Sequence, residues 1–267
     1  MDISPFTPQD LPNLPAIQPE GWPDIVPEFE NYILRDYCYP LKITVNNNLV
    51  AVGTAIVFGK TGWLAHVIVG PEYRSKGLGH QMVSRLVQLL KECSVETILL
   101  IATHYGYPLY VKSGFRAVSE YVYFKRNSPW KARPVDKRIE SFREGRRSQI
   151  LALDRKVSGE DRGALISGFI NKSVVFLANG EVKGFYLPGL GEGPVVAGPN
   201  EAGLELLKVK HATIDKAALP ADNKIAIKFL EQNGFERTSF KGTRMVLGRE
   251  IEWVPEKVFS RIGGNFG

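Results

Sequence analysis

Cysteine is scarce: the 267 residues hold two, Cys38 and Cys93, far apart in the chain. That excludes a disulfide scaffold and a cysteine-built zinc site. It fits a reducing compartment, so a cytoplasmic location is expected. Long apolar runs are missing too. None approaches the roughly 18–20 residues a membrane helix needs, and no membrane partner is expected. The first residues, MDISPFTPQDLPNLP, have no basic stretch ahead of an apolar core, so no secretory signal is expected there. The four histidines, His66, His80, His104 and His211, show no metal-ligand spacing, and no metal is expected. Charge of one sign is in modest excess only, with 34 Lys+Arg against 28 Asp+Glu for a net +6, which is compatible with an anionic ligand. The densest basic stretch, Lys125 to Arg147, reads as a solvated linker and helix face or as a nucleic-acid groove. The basic residues are otherwise spread out, and no nucleic-acid partner is expected.

What is present is an ordered alternation of strand and helix signals. Seven prolines between Pro5 and Pro27 allow only short helices, one with Asp10 as its expected cap. Val26 to Arg35 carries Phe29, Tyr32 and Ile33 at helical spacing. Strands are expected at Tyr39–Val45 and Leu49–Phe58 around the turn Asn46-Asn47-Asn48, and at Trp63–Val69. An amphipathic helix follows from about Gly77 to Cys93, with Met82, Leu86, Leu89 and Leu90 on one face. A buried strand (Val95–Ala102), a short helix (Tyr107–Lys112) closed by Gly114, and a strand (Phe115–Phe124) complete this half.

The order partly repeats after a linker. Helices are expected at Phe142–Leu153 and at Asp161–Asn171, the second capped by Ser158 or Gly159. Strands are expected at Ser173–Ala178 and Val182–Leu187 around Asn179-Gly180, and at Gly193–Ala197. A helix at Ala202–Lys210, a short strand at Ala212–Asp215 and a helix at Asn223–Gln232 follow. The last strands are Phe235–Phe240 and Thr243–Leu247. The glycine-rich end, Gly263 to Gly267, is expected to fray. Gly114-Phe115 and Gly234-Phe235 each end a short helix and start a strand. Val69-Gly70-Pro71 and Ala197-Gly198-Pro199 each end the strand before the central helix.

The segment Arg74-Ser75-Lys76-Gly77-Leu78-Gly79-His80 lies between a strand and an amphipathic helix. Glycines spaced by one residue let the backbone turn tightly and bring N–H groups to a ligand. The helix start adds unpaired N–H groups and a positive dipole end, and Arg74 and Lys76 add charge. These are the parts of a pyrophosphate site, though an ordinary glycine turn reads the same way. GxxxxGK[ST] is absent, and no third glycine completes GxGxxG.

Val69-x-Pro71-x-x-Arg74-x-x-Gly77-x-Gly79 resembles the acetyl-coenzyme A signature of the GNAT N-acetyltransferases. Leu109-Tyr110-x-Lys112-x-Gly114-Phe115 resembles that family's later helix. The resemblance covers about residues 40–125 well. It implies an α/β fold of two GNAT-like domains, each a mixed, mostly antiparallel sheet flanked by helices: 1–126, a linker at 127–137, a degenerate copy at 138–248, and a tail at 249–267. It also implies acetyl-CoA as the donor, with its pyrophosphate on the N–H groups of Ser75, Lys76, Gly77, Leu78, Gly79 and His80. The pantetheine arm would pair along Trp63–Val69, where a splay opens the sheet. A backbone N–H near Ile68 or Val69 would polarise the thioester oxygen. Tyr110 matches the tyrosine that protonates the leaving thiolate, or it is a packed aromatic. The acceptor would be a small-molecule or peptide amine, and the protein a monomer or homodimer.

Departures from the family pattern matter. The strand Trp63–Val69 has no carboxylate base, and His66 is its titratable group, either as base or as a hydrogen-bonded structural histidine. Alternation places His66 on the face of Leu64 and Ile68, opposite Val67 and Val69. His104 and Tyr105 lie near the expected mouth and contact substrate or do nothing. The family's frequent asparagine is Thr103 here. In the second half the loop positions are Ala202, Glu205 and Leu207, and the tyrosine position is Leu230, while Asn223 is kept. One donor site, in the first half, is expected. A non-catalytic acyl-CoA-binding protein is the alternative reading.

Overall fold

The computed structural model describes residues 2–131 and 133–267. Ala132, inside the expected linker, lies outside the described residues. The chain divides into two compact units. The first comprises residues up to Ala117 with Met245–Arg249 and Gly264–Phe266. The second comprises Val118–Arg244 with Glu250–Gly263 and Gly267. The C-terminal tail therefore contributes to both.

In the first unit the elements are β1 (Asp2–Pro5), α1 (Val26–Ile33), β2 (Cys38–Val45), β3 (Asn48–Phe58), β4 (Thr61–Val69), α2 (Leu78–Glu92), β5 (Thr97–Ala102) and α3 (Tyr107–Lys112). The strands lie in the order β1-β2-β3-β4-β5, followed by the end of a long strand, Phe235–Gly248. The β2–β3 hairpin turns on Asn46 and Asn47, both left-handed at φ 50° and 64°, as a tight hairpin requires. The stripe Leu78, Met82, Val83, Leu86 and Leu90 of α2 is buried against Val50, Ala51, Ala55, Leu64, Leu100 and Tyr110. Two expectations change here. Asp10 does not cap a helix but is the third residue of a 3-10 turn (Pro8–Ala16), in a reciprocal capping box with Thr7. The glycine-rich C-terminal end does not fray: Asn265 and Phe266 are buried, and Phe266 stacks on Phe58 with ring centroids 6.1 Å apart.

In the second unit come β6 (Arg116–Arg126), β7 (Ile139–Ser141), α4 (Arg147–Ser158), α5 (Gly163–Ser167), β8 (Val174–Ala178), β9 (Glu181–Tyr186), β10 (Val195–Ala197), α6 (Asn200–His211), β11 (Lys216–Pro220), α7 (Lys224–Gln232), β12 (Phe235–Gly248) and β13 (Val258–Ser260). One set of strands is ordered β12-β6-β11 and the other β13-β10-β9-β8-β7. Helix α4 starts five residues later than expected, and Gly159, left-handed at φ 71°, ends it rather than capping the next helix. The strand expected at Ala212–Asp215 begins at Lys216, because α6 runs on to His211. The last two expected strands are one continuous strand.

Candidate active site

Strands β4 and β5 are parallel, and they pair over only Thr61–Thr97, Gly62–Ile98 and Trp63–Leu99. Beyond Trp63 the ladder stops while β4 continues to Val69 and β5 to Ala102, so β4 keeps an open edge. On its other side β4 stays paired with β3 across an irregularity. Thr54 faces Ala65 and Val52 faces Ile68, so β4 carries one extra residue in between. His66 sits in that bulge with left-handed φ of 46°.

The bulge corrects the simple alternation. Leu64, Val67 and Val69 all join the core beneath α2, so Leu64 does not share the face of His66. His66 instead meets α1 and the segment before it. Its ring centroid is 6.0 Å from Phe29, 5.7 Å from Tyr32 and 6.2 Å from Trp22. Its Nδ1 is 2.8 Å from the Tyr32 hydroxyl. Burial pushes the imidazole pKa down to about 4. Glu28 and Asn265 lie behind Tyr32; Asn265 Nδ2 donates to the Tyr32 oxygen at 2.9 Å and to Glu28 Oε2 at 3.2 Å. Burial raises the Glu28 pKa.

Past the bulge, the two candidate backbone N–H groups part company. Gly70 N–H donates to the Val50 carbonyl of β3 at 2.9 Å. Backbone groups alternate along a strand, so Ile68 also faces β3 and Val69 faces the open edge. The Val69 carbonyl accepts from Arg74 Nε at 3.2 Å, which agrees.

The loop before α2 is built for backbone exposure. Ser75 and Gly77 are left-handed, at φ 60° and 83°. Gly77 caps α2 with no side-chain hydrogen bond, and a Cβ on it would meet nothing within 4 Å. The first α2 residue to bond back is Gln81, to the Gly77 carbonyl, so Leu78, Gly79 and His80 point N–H groups out of the helix start. Leu78 anchors the turn with a buried side chain. A Cβ on Gly79 would lie 3.2 Å from Leu109 and 3.7 Å from Val69; glycine there lets α2 close on α3 and β4. Arg74, Ser75, Lys76 and His80 are exposed, and Lys76 lies 5.1 Å from the Tyr73 ring centre.

Tyr110 is buried in the core beneath α2, edge-on to Phe115 at 5.8 Å. Burial raises its pKa. Tyr110 and His66 thus have different neighbours. His104 and Tyr105 follow β5 and are exposed, Tyr105 at 93%. They pack on each other, with ring centroids 5.8 Å apart. Sequence reasoning missed Glu28 and Asn265. The helical spacing of α1 pointed to Phe29 and Tyr32, but nothing in the tail marked Asn265.

The equivalent region of the second unit is closed. Strand β13 pairs antiparallel with β10, and Arg261 N–H donates to the Ala218 carbonyl of β11 at 3.0 Å. The tail therefore fills the gap between β10 and β11. Asn223 holds it, donating to the Val258 carbonyl at 3.1 Å while accepting from Ala226 N–H. Lys210 Nζ, buried, donates to the Glu192 and Gly193 carbonyls and to Ser260 Oγ. The Phe259 ring lies so close to Gly203 of α6 that a Cβ there would be 2.3 Å from it.

Among the described residues, no three His, Cys, Asp or Glu side chains gather as a metal site, and no helix is long and apolar enough to cross a membrane. Comparison with known proteins supplies the rest. The acetyltransferase (GNAT) family profile matches residues 9–115, and an acetyltransferase (GNAT) domain profile matches residues 150–260. YitH of Bacillus subtilis (strain 168), described as an uncharacterized N-acetyltransferase, is 26% identical over 198 residues, covering 70% of this chain and 69% of that protein. A Pyrococcus horikoshii structure, provisionally classed as an acetyltransferase, superposes with a TM-score of 0.84 at 20% identity, over 100% of this chain and 95% of that one. A tandem GNAT protein from the clavulanic acid biosynthesis pathway gives a TM-score of 0.62 at 11% identity, over 92% of this chain and 98% of that one. With a GNAT match in each half, and the two matches together spanning more than half of its length, the chain belongs to the GNAT acyltransferases, as a tandem-domain member.

Proposed function

We propose that the protein is an N-acetyltransferase that moves an acetyl group from acetyl-CoA to a primary amine by direct attack, with the donor held by the N-terminal domain alone. The observation that carries this reading is the pairing of an open β4 edge with an exposed, left-handed glycine at the start of α2. The N–H groups from Ser75 to His80, with the charges of Arg74 and Lys76, suit a pyrophosphate. Acetyl-CoA supplies the activated acyl group. The Val69 N–H, on the open edge, is the proposed oxyanion donor. Tyr110 is the proposed acid: burial keeps its hydroxyl protonated, as a group that must give a proton to a thiolate should be. His66 is the proposed catalytic residue on the acceptor side. It is uncharged at neutral pH and does not repel an incoming ammonium group. Which ring nitrogen holds its proton decides whether it accepts or donates there. His104 and Tyr105, exposed after β5, are proposed contacts for the acceptor.

The absence of a second donor site is supported by β13, whose backbone occupies the gap that acetyl-CoA would need. The division of the chain at 1–126 and 138–248 is proposed as a division of labour, with donor binding in the first part only. Calorimetric titration with acetyl-CoA tests the reading. One site per chain, abolished by Gly77→Glu with Gly79→Glu, is the expected result. Two sites, or one that survives the double substitution, overturn it. Amine turnover then separates transfer from non-catalytic binding.

A further inference from the structure

Four side chains of the first unit form one hydrogen-bonded line whose direction the acetyl-transfer reading leaves open. Glu28 and Tyr32 stand one turn apart on α1, and His66 sits on the β4 bulge. Asn265 reaches them from the 264–266 segment. The contacts run Glu28 Oε2 to Asn265 Nδ2 (3.2 Å), Asn265 Nδ2 to Tyr32 oxygen (2.9 Å), and Tyr32 oxygen to His66 Nδ1 (2.8 Å).

Donor and acceptor counting fixes the direction. An ionised carboxylate only accepts, so the amide turns its NH2 to Glu28. Flipping the amide would set two acceptors against each other. The same NH2 gives its second hydrogen to the Tyr32 oxygen. The one Tyr32 hydrogen then has His66 Nδ1 left to go to. A ring nitrogen that accepts carries no proton, so the proton of neutral His66 is on Nε2. Nε2 has no protein partner among the described residues and is not among the buried unpaired atoms, so it is open to a ligand.

We infer that Asn265 and Tyr32 are positioning residues that hold His66 in its Nε2–H form, so that the acceptor side offers a hydrogen-bond donor and suits an amine with a carbonyl, hydroxyl or carboxylate oxygen beside the reacting nitrogen. The substrate clause rests on the acetyl-transfer reading, while the tautomer does not. His66 then takes no proton from the amine, since its one lone pair is committed to Tyr32. The proton lost by the attacking amine goes to water.

The test is 15N NMR of the histidine rings in the full chain at pH 7 without ligand, with His66 assigned through a His66→Gln variant. The wild-type protein is expected to show the Nε2–H form alone. Tyr32→Phe, which removes only the hydroxyl, is expected to give a mixture of both forms. Asn265→Asp puts an acceptor-only group beside Tyr32, takes its hydrogen, and is expected to turn His66 to the Nδ1–H form. A wild-type ring already in the Nδ1–H form overturns the inference, whatever the variants do. Unchanged ring signals in a folded Asn265→Asp protein also overturn it. Acetyl-CoA titration of the same wild-type sample tells the two readings apart: a failure to bind sinks acetyl transfer and leaves the tautomer standing. Given turnover, amines bearing an adjacent oxygen should react about tenfold faster than matched alkyl amines, the worth of one hydrogen bond; equal rates overturn the substrate clause.

Discussion

In the first unit, two parallel strands part after three residue pairs and leave an edge open. In the second, the matching gap between β10 and β11 is filled by residues 258–261 of the same chain. The helices that follow differ in the same sense. Helix α2 starts at a bare left-handed glycine, whereas α6 starts after Pro199 with Ala202 and Gly203 buried and Phe259 pressed on Gly203. One frame therefore serves two ends. What separates an open strand edge from a packed core is a few side chains and a three-residue strand, not the order of elements.

Breaking the filled side should have the largest effect. Phe259 is fully buried, and Phe259→Ala is expected to cost about 3–5 kcal/mol, read by chemical denaturation. Acetyl-CoA stoichiometry should stay at one, since the β13 backbone remains in the gap. Breaking the open side comes next. Gly77→Glu with Gly79→Glu is expected to weaken acetyl-CoA binding at least about 100-fold, roughly 2.7 kcal/mol, with little change in the unfolding midpoint of the second unit. Tyr110→Phe sharpens the comparison, because the second unit has Leu230 at that place. Turnover should fall about 10–100-fold, roughly 1.4–2.7 kcal/mol in barrier, at unchanged acetyl-CoA affinity. The smallest effect concerns pH. His66 is pushed down to about 4 in the folded chain, from 6.5. Between those values the unfolded chain holds the extra proton, so stability falls as pH drops from 6.5 towards 4. His66→Asn should flatten that slope. The rate should show no inflection from His66 between about pH 5.5 and 7.5.

The sequence carried the first unit well because its signals are local. The Asn46-Asn47 turn, the α2 stripe and the Gly77-x-Gly79 loop each declare themselves within a few residues. The bulge at His66 does not. It is a property of how β4 pairs with β3, and the sequence of β4 alone reads as regular alternation. Strand β13 is three residues long and has no period to detect, so nothing marks it within the 249–267 tail. Asn265 was hidden for a similar reason. Its partners, Glu28 and Tyr32, are more than 200 residues away, and the glycines around it suggested a loose end. In the second half, the kept Asn223 was legible as a family residue but not as the clamp on β13.

The extra residue at the β4 bulge has a further consequence, for length rather than composition. Deleting His66 would make the strand regular without shifting its register: Ala65 would stay opposite Thr54, Val67 would face Gly53, and Ile68 would stay opposite Val52. Val67 and Val69 would keep the core face and the Val69 N–H would keep the open edge, while the contact to Tyr32 would be lost. A deletion of residue 66 is therefore expected to survive in a library selected for acetyl-CoA binding, while a single-residue insertion between Ile68 and Val69, where the pairing with β3 is already regular, turns Val69 out of the core and is expected to be lost.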